Sequence, residues 1–184
     1  MFDKGARLLG HPIHQMLIVF PLGLLATSIA FDIVFLSTGA MRWADVAYWM
    51  IAAGLIGGAI AAVFGLIDWI ALPSGTRAKM VGAWHGIGNA VVLVLFLISW
   101  LMRRAELPGQ PGVAAIVLSF IGVGLALVTG WLGGELVDRM GVGVDKGAHA
   151  DSPNSLSGRP ATDSVPPARR VGLGWGFRRG HAAH

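Results

Sequence analysis

Four long apolar runs, residues 16–36, 46–72, 81–102 and 113–137, leave this chain very few folds to choose from. Each is about 20 residues or longer, and about 20 helical residues at about 1.5 Å apiece cross a hydrocarbon core about 30 Å thick. Backbone N–H and C=O groups meet no water there, so each run must pair them internally as a helix. Composition agrees: 54% of residues are hydrophobic and 13% charged, against roughly 25% charged in a soluble domain. The expectation is an all-α polytopic membrane protein. Residues 1–146 should form a four-transmembrane-helix antiparallel bundle, with helices over 13–36, 46–72, 81–102 and 113–138 joined by loops short enough to make neighbours antiparallel.

Residues 147–184 change character: they are rich in Ser, Pro, Gly and Arg and carry no hydrophobic period, so they read as a disordered basic tail. The end of the tail, from Arg169 and Arg170 through Trp175, Phe177, Arg178 and Arg179, suits either an anionic membrane surface or a plain flexible tail. His149, His181 and His184 belong to it and are assigned no site. The first apolar run is read as a retained helix rather than a cleaved signal peptide. His11, Pro12 and His14 precede it, Pro21 interrupts it, and it continues to Leu36.

The chain has no cysteine, which excludes disulfides, thiolate metal sites, iron–sulfur clusters and covalent c-type haem. The pI near 10.3 is attributed to membrane topology and the basic tail, with no nucleic-acid partner, because no soluble domain is left to read a groove. Lys4, Arg7, Arg77, Lys79, Arg139 and Lys146 fall on one side of the bundle, against Arg42, Arg103 and Arg104 on the other. That asymmetry places both termini in the cytoplasm. Trp43, Tyr48, Trp49, Trp69, Trp84 and Trp100 lie near helix ends, where amphipathic rings prefer the interface. Small residues recur every fourth position: Gly54, Gly58 and Ala62; Gly82, Gly86 and Ala90; Gly122, Ala126, Gly130 and Gly134. They let helices pack closely within the bundle or in a homo-oligomer.

Ionisable groups gather at one end of this topology. His11 and His14 open the first helix, Asp68 closes the second, His85 lies about one turn into the third, and Glu135 closes the fourth. Buried ionisable groups are costly in hydrocarbon, so their clustering marks a functional site by default. Each hairpin begins with histidine and ends with a carboxylate, which suggests a parallel two-fold repeat. Imidazole is the natural ligand of haem iron, zinc, copper and non-haem iron. One reading is haem b held axially by His14 and His85, with His11 nearby. Another is a Zn, Cu or Fe ion among His11, His14, His85, Asp68 and Glu135, the carboxylates serving as ligands or as acceptors that orient a ring. A third is a polar belt without a cofactor, in which Asp68 pairs with Arg77 or Lys79 and Glu135 with Arg139. Asp32 is the only acid deep toward the opposite face, too isolated for a proton relay, and no histidine lies at that end for a second haem. No nucleophile elbow, phosphate loop, dinucleotide fingerprint or zincin motif is present, so no reaction is assigned.

Gly10-His11-Pro12-Ile13-His14, Phe20-Pro21-Leu22-Gly23, Gly65-Leu66-Ile67-Asp68-Trp69, Gly75-Thr76-Arg77, His85-Gly86 and Gly130-Trp131-Leu132-Gly133-Gly134-Glu135-Leu136 occur in order. Together they resemble the bacterial DUF2231 family of small four-helix membrane proteins, from about residue 9 to 144. Gln15 stands where the commoner pattern has a second proline. The resemblance brings no established activity. Some members resemble fusions to Rieske-type iron–sulfur domains, which implies electron transfer and a redox protein partner for the histidine cluster.

Overall fold

The chain is seen here as a computed structural model that describes residues 5–106 and 110–165. It divides into two compact units, Met1–Val144 and Asp145–His184. The described part of the second unit is built of turns and one short 3-10 helix, Ser155–Ser157, with Asn154 accepting a hydrogen bond from the Leu156 N–H at 2.8 Å. The basic and aromatic residues from Arg169 to Arg179, and His181 and His184, lie outside the described residues, as does Lys4.

The first unit opens with a two-residue hairpin, β1 (Arg7–Leu8) and β2 (His11–Pro12), which the sequence did not announce. Leu9 and Gly10 turn it with positive φ of 52° and 86°, the geometry that matches strand twist in a two-residue loop. Arg7 closes the turn by donating to the Gly10 carbonyl at 2.8 Å. Five helices follow: α1 (Ile13–Leu17), α2 (Val19–Thr38), α3 (Met41–Ala71), α4 (Arg77–Ala105) and α5 (Val113–Gly134). Among the described residues, four helical stretches are long and apolar enough to cross a membrane: Ile13–Thr38, Met41–Ala71, Arg77–Ala105 and Val113–Arg139.

The spans match the expected four and extend the second and third by about a turn. The extra residues, 41–45 and 77–80, include Arg42, Asp45, Arg77 and Lys79 and so escape a search for apolar runs. α1 parts from α2 at Ile18, just ahead of Pro21, whose ring nitrogen has no proton to donate back to the preceding turn. Thr76 starts α4 by accepting a hydrogen bond from the Lys79 N–H at 3.2 Å. A π-helical turn, Glu135–Arg139, ends the last span.

The two hairpins, α1–α3 and α4–α5, are copies of one another. Leu25, Ser28 and Asp32 are buried on α2, and Phe96, Ser99 and Arg103 are buried on α4 71 positions later. Ala47, Tyr48, Ile51, Gly54 and Ala61 are buried on α3, and Ala115, Ile116, Ser119, Gly122 and Thr129 on α5 68 positions later. The packing repeats as well as the burial. A methyl group at Gly54 would strike Leu25, and one at Gly122 would strike its counterpart Phe96. Both copies run the same way through the bundle, so the axis relating them lies along the helices, as in parallel-repeat transporters.

Leu25, Ile51, Val92 and Phe96 form the central core. Leu72, Ala78, Val81 and Leu136 pack at the histidine end, and Phe35, Ala44 and Ile116 at the other. Large apolar side chains such as Phe20, Ile56, Val63 and Leu127 face outward. Lipid is as apolar as the core, so packing contacts and internal polar bonds hold the bundle together.

Candidate functional site

His14 and His85 are equivalent under the repeat, and they meet across its axis. Their ring centroids are 6.3 Å apart and their planes are 89° to one another. Each ring is fixed in the same way. His14 Nδ1 lies 2.8 Å from the Ala61 carbonyl on α3, and His85 Nδ1 lies 2.8 Å from the Thr129 carbonyl on α5. A carbonyl only accepts, so Nδ1 carries a proton in both rings, and in a neutral imidazole that leaves the lone pair on Nε2.

One helical turn beyond each carbonyl lies a glycine that the ring covers. A methyl group at Gly65 would stand 2.8 Å from His14 Cε1, and one at Gly133 would stand 3.1 Å from His85 Cε1. Two glycines, two carbonyls and two imidazoles thus form one motif used twice.

The copies differ in one respect. Asn89 donates to the His85 carbonyl at 2.9 Å, with its amide nitrogen 3.3 Å from Nε2 and 3.4 Å from Nδ1 of that ring. The Thr129 hydroxyl donates to Asn89 Oδ1 at 3.1 Å. The positions equivalent to Asn89 and Thr129 in the first hairpin are Ile18 and Ala61.

The remaining expected site residues do not join this pair. His11 is exposed on β2, opposite Leu8. Asp68 accepts the Ala6 N–H at 2.9 Å and anchors the N-terminal hairpin. Glu135 pairs with Arg77 at 3.0 Å, not with Arg139. Under the repeat Asp68 corresponds to Leu136 rather than Glu135, so the histidines are equivalent and the carboxylates are not. Among the described residues, no three of His, Asp and Glu come together closely enough to share a metal ion. The small-residue ladders also divide. Gly54, Gly58, Gly82 and Gly122 meet side chains across helix contacts, whereas Gly86, Gly130 and Gly134 face open space.

About 27 Å from the histidines, at 18 residues of about 1.5 Å each, lies a second polar centre. Arg103 is 3% exposed and Asp32 0%. They form a bidentate pair, Nη1–Oδ1 2.8 Å and Nη2–Oδ2 2.7 Å. Arg103 Nε donates to Ser99 at 3.2 Å, and Ser99 shares a 2.8 Å hydrogen bond with Ser119. Reading Arg103 as a loop cation missed this pair. The available signal was that Asp32 and Arg103, each four residues after a serine, occupy the same place in two similar hairpins. The central core of Leu25, Ile51, Val92 and Phe96 separates the two centres along the axis.

The family model described as Predicted membrane protein (DUF2231) matches residues 10–146. The chain belongs to that family and is an integral membrane protein. No curated protein and no solved structure matches it.

Proposed function

We propose that this DUF2231 member is a membrane-bound b-type cytochrome that holds one haem b between His14 and His85 and passes electrons to or from a redox protein partner. The observation that carries the reading is the number of ligands gathered. A zinc, copper or non-haem iron site needs three or four protein ligands, and the described residues bring two together. Haem b needs two, because the porphyrin supplies the other four.

Separation supports the same choice. An imidazole nitrogen binds a metal at about 2.0–2.1 Å and sits roughly 1.2 Å from its own ring centre, so two axial rings have centres roughly 6.5 Å apart. The His14 and His85 centroids are 6.3 Å apart. The Ala61 and Thr129 carbonyls hold both rings in the tautomer that leaves Nε2 for the iron, and such hydrogen bonds also raise ligand basicity. The bound haem would supply a one-electron couple. The chain supplies its axial ligands, its apolar surroundings and its depth in the bilayer.

The site is further assigned to the cytoplasmic side of a bacterial inner membrane. Arg103 is consumed by Asp32 inside the bundle, so of the three basic residues that the sequence assigns to the opposite end Arg42 and Arg104 remain to set against those it assigns to the histidine end. That sharpens the charge asymmetry that governs orientation.

The test is the visible spectrum of protein purified in mild detergent, before and after dithionite. A Soret band that sharpens and shifts on reduction is expected. A flat spectrum, both as purified and after haemin titration, would leave a membrane subunit without this cofactor.

A further inference from the structure

The two histidines are equivalent by position and unequal by construction. His85 sits inside α4, an uninterrupted helix of 29 residues. His14 sits on α1, a helix of 5 residues parted from α2 at Ile18 and preceded by the β1–β2 hairpin. His85 is clamped on two sides: Thr129 accepts its Nδ1 proton and donates to Asn89, and Asn89 bonds the His85 carbonyl and lies against the ring. His14 has the matching carbonyl of Ala61, but Ile18 and Ala61 offer no side-chain hydrogen bond in place of Asn89 and Thr129. Asn89 lies 12 residues into α4, about 18 Å along the span, and a polar amide at that depth is costly unless it serves a purpose.

Resting on the haem reading above, we infer that His85 is the permanent axial ligand and His14 the exchangeable one. The coordination position under His14 then accepts a small diatomic gas such as carbon monoxide, nitric oxide or dioxygen. Releasing His14 requires moving only the short α1 turn and one carbonyl contact. Releasing His85 requires breaking the Asn89–Thr129 clamp and bending a continuous helix. Asn89 is a positioning residue, acting on the iron through His85.

The experiment uses the full-length protein in detergent, as wild type and as His14→Ala, His85→Ala, Asn89→Leu and Ile18→Leu. Each is titrated with haemin, reduced and exposed to carbon monoxide, with circular dichroism recording the fold. The expected result is that His14→Ala keeps its haem and binds carbon monoxide faster than wild type, while His85→Ala loses most of its haem. Asn89→Leu should weaken haem binding by about 10–100-fold, the usual effect of removing a group that orients a ligand, while Ile18→Leu leaves the titration unchanged. Equal haem loss in both histidine variants, or retention in His85→Ala with loss in His14→Ala, overturns the inference. If the histidine variants do not fold, the milder pair decides: equal titrations for Asn89→Leu and Ile18→Leu overturn it too. A wild type that takes up no haem overturns the haem reading itself, and this inference with it.

Discussion

Replacing Asp32 with alanine strands the Arg103 guanidinium inside the bundle, where it now spends two of its donors on that carboxylate. Breaking a buried pair from one side costs about 3–5 kcal/mol, because the remaining charge stays desolvated. Ser99 and Ser119 stay within reach of Arg103, which places Asp32→Ala toward the lower part of that range. The repeat makes a sharper claim about the exchanged pair, Asp32→Arg with Arg103→Asp. An arginine at 32 finds Ser28 four residues back, as Arg103 finds Ser99. It finds Ile51 where Arg103 has Ser119, whose contact with Nη2 is a long 3.4 Å. Hydrogen bonds to charged groups contribute roughly 1.5–3 kcal/mol at good geometry. The exchanged protein should therefore recover all but roughly 1–2 kcal/mol of the single-mutant loss. The assay is dodecyl sulfate unfolding from mixed micelles, followed by circular dichroism and tryptophan fluorescence. An exchanged protein no more stable than either single variant would refute the equivalence of the two positions. Single variants within about 1 kcal/mol of wild type would refute the claim that the pair is dry.

Other outcomes follow from the same contacts. Gly65→Ala puts a methyl group 2.8 Å from the His14 ring and should lower haem content, measured by Soret absorbance per protein, more than Gly133→Ala, whose methyl stands 3.1 Å from the His85 ring, whereas Gly134→Ala meets open space and should match wild type. Arg77 is 62% exposed in its pair with Glu135, so Glu135→Gln should change unfolding by less than about 1 kcal/mol and leave haem content alone. Asp68→Asn keeps an oxygen facing the Ala6 N–H but loses the carboxylate charge. It should loosen the N-terminal hairpin, seen as faster proteolysis ahead of Ile13, without altering the Soret band; a bleached protein would return Asp68 to the site.

Much of the bundle was legible because lipid allows so few solutions. Apolar length fixed the number of spans, Pro21 marked the break near Ile18, and the shared depth of His14 and His85 anticipated that the two rings lie together. The carboxylates were harder. Asp68 and Glu135 share a depth with the histidines, but depth carries no azimuth, and their partners, a backbone N–H at Ala6 and the Arg77 guanidinium, lie on neighbouring segments. The repeat was visible in the histidines that open each hairpin, but its register was not, because the carboxylates are not equivalent and the two copies share packing positions rather than residue types. Leu25 answers to Phe96, Ile51 to Ser119 and Asp32 to Arg103, substitutions that keep each position buried while erasing sequence identity. Arg103 looked like an interfacial cation only because its counter-ion sits 71 positions earlier.

The most direct test of the paired histidines is the low-temperature electron paramagnetic resonance spectrum of the oxidised, haem-loaded protein. Two axial imidazoles with planes 89° apart predict a low-spin ferric centre of high anisotropy, dominated by one low-field feature. A high-spin signal, or a rhombic low-spin signal from coplanar rings, would contradict the proposed axial ligation by His14 and His85.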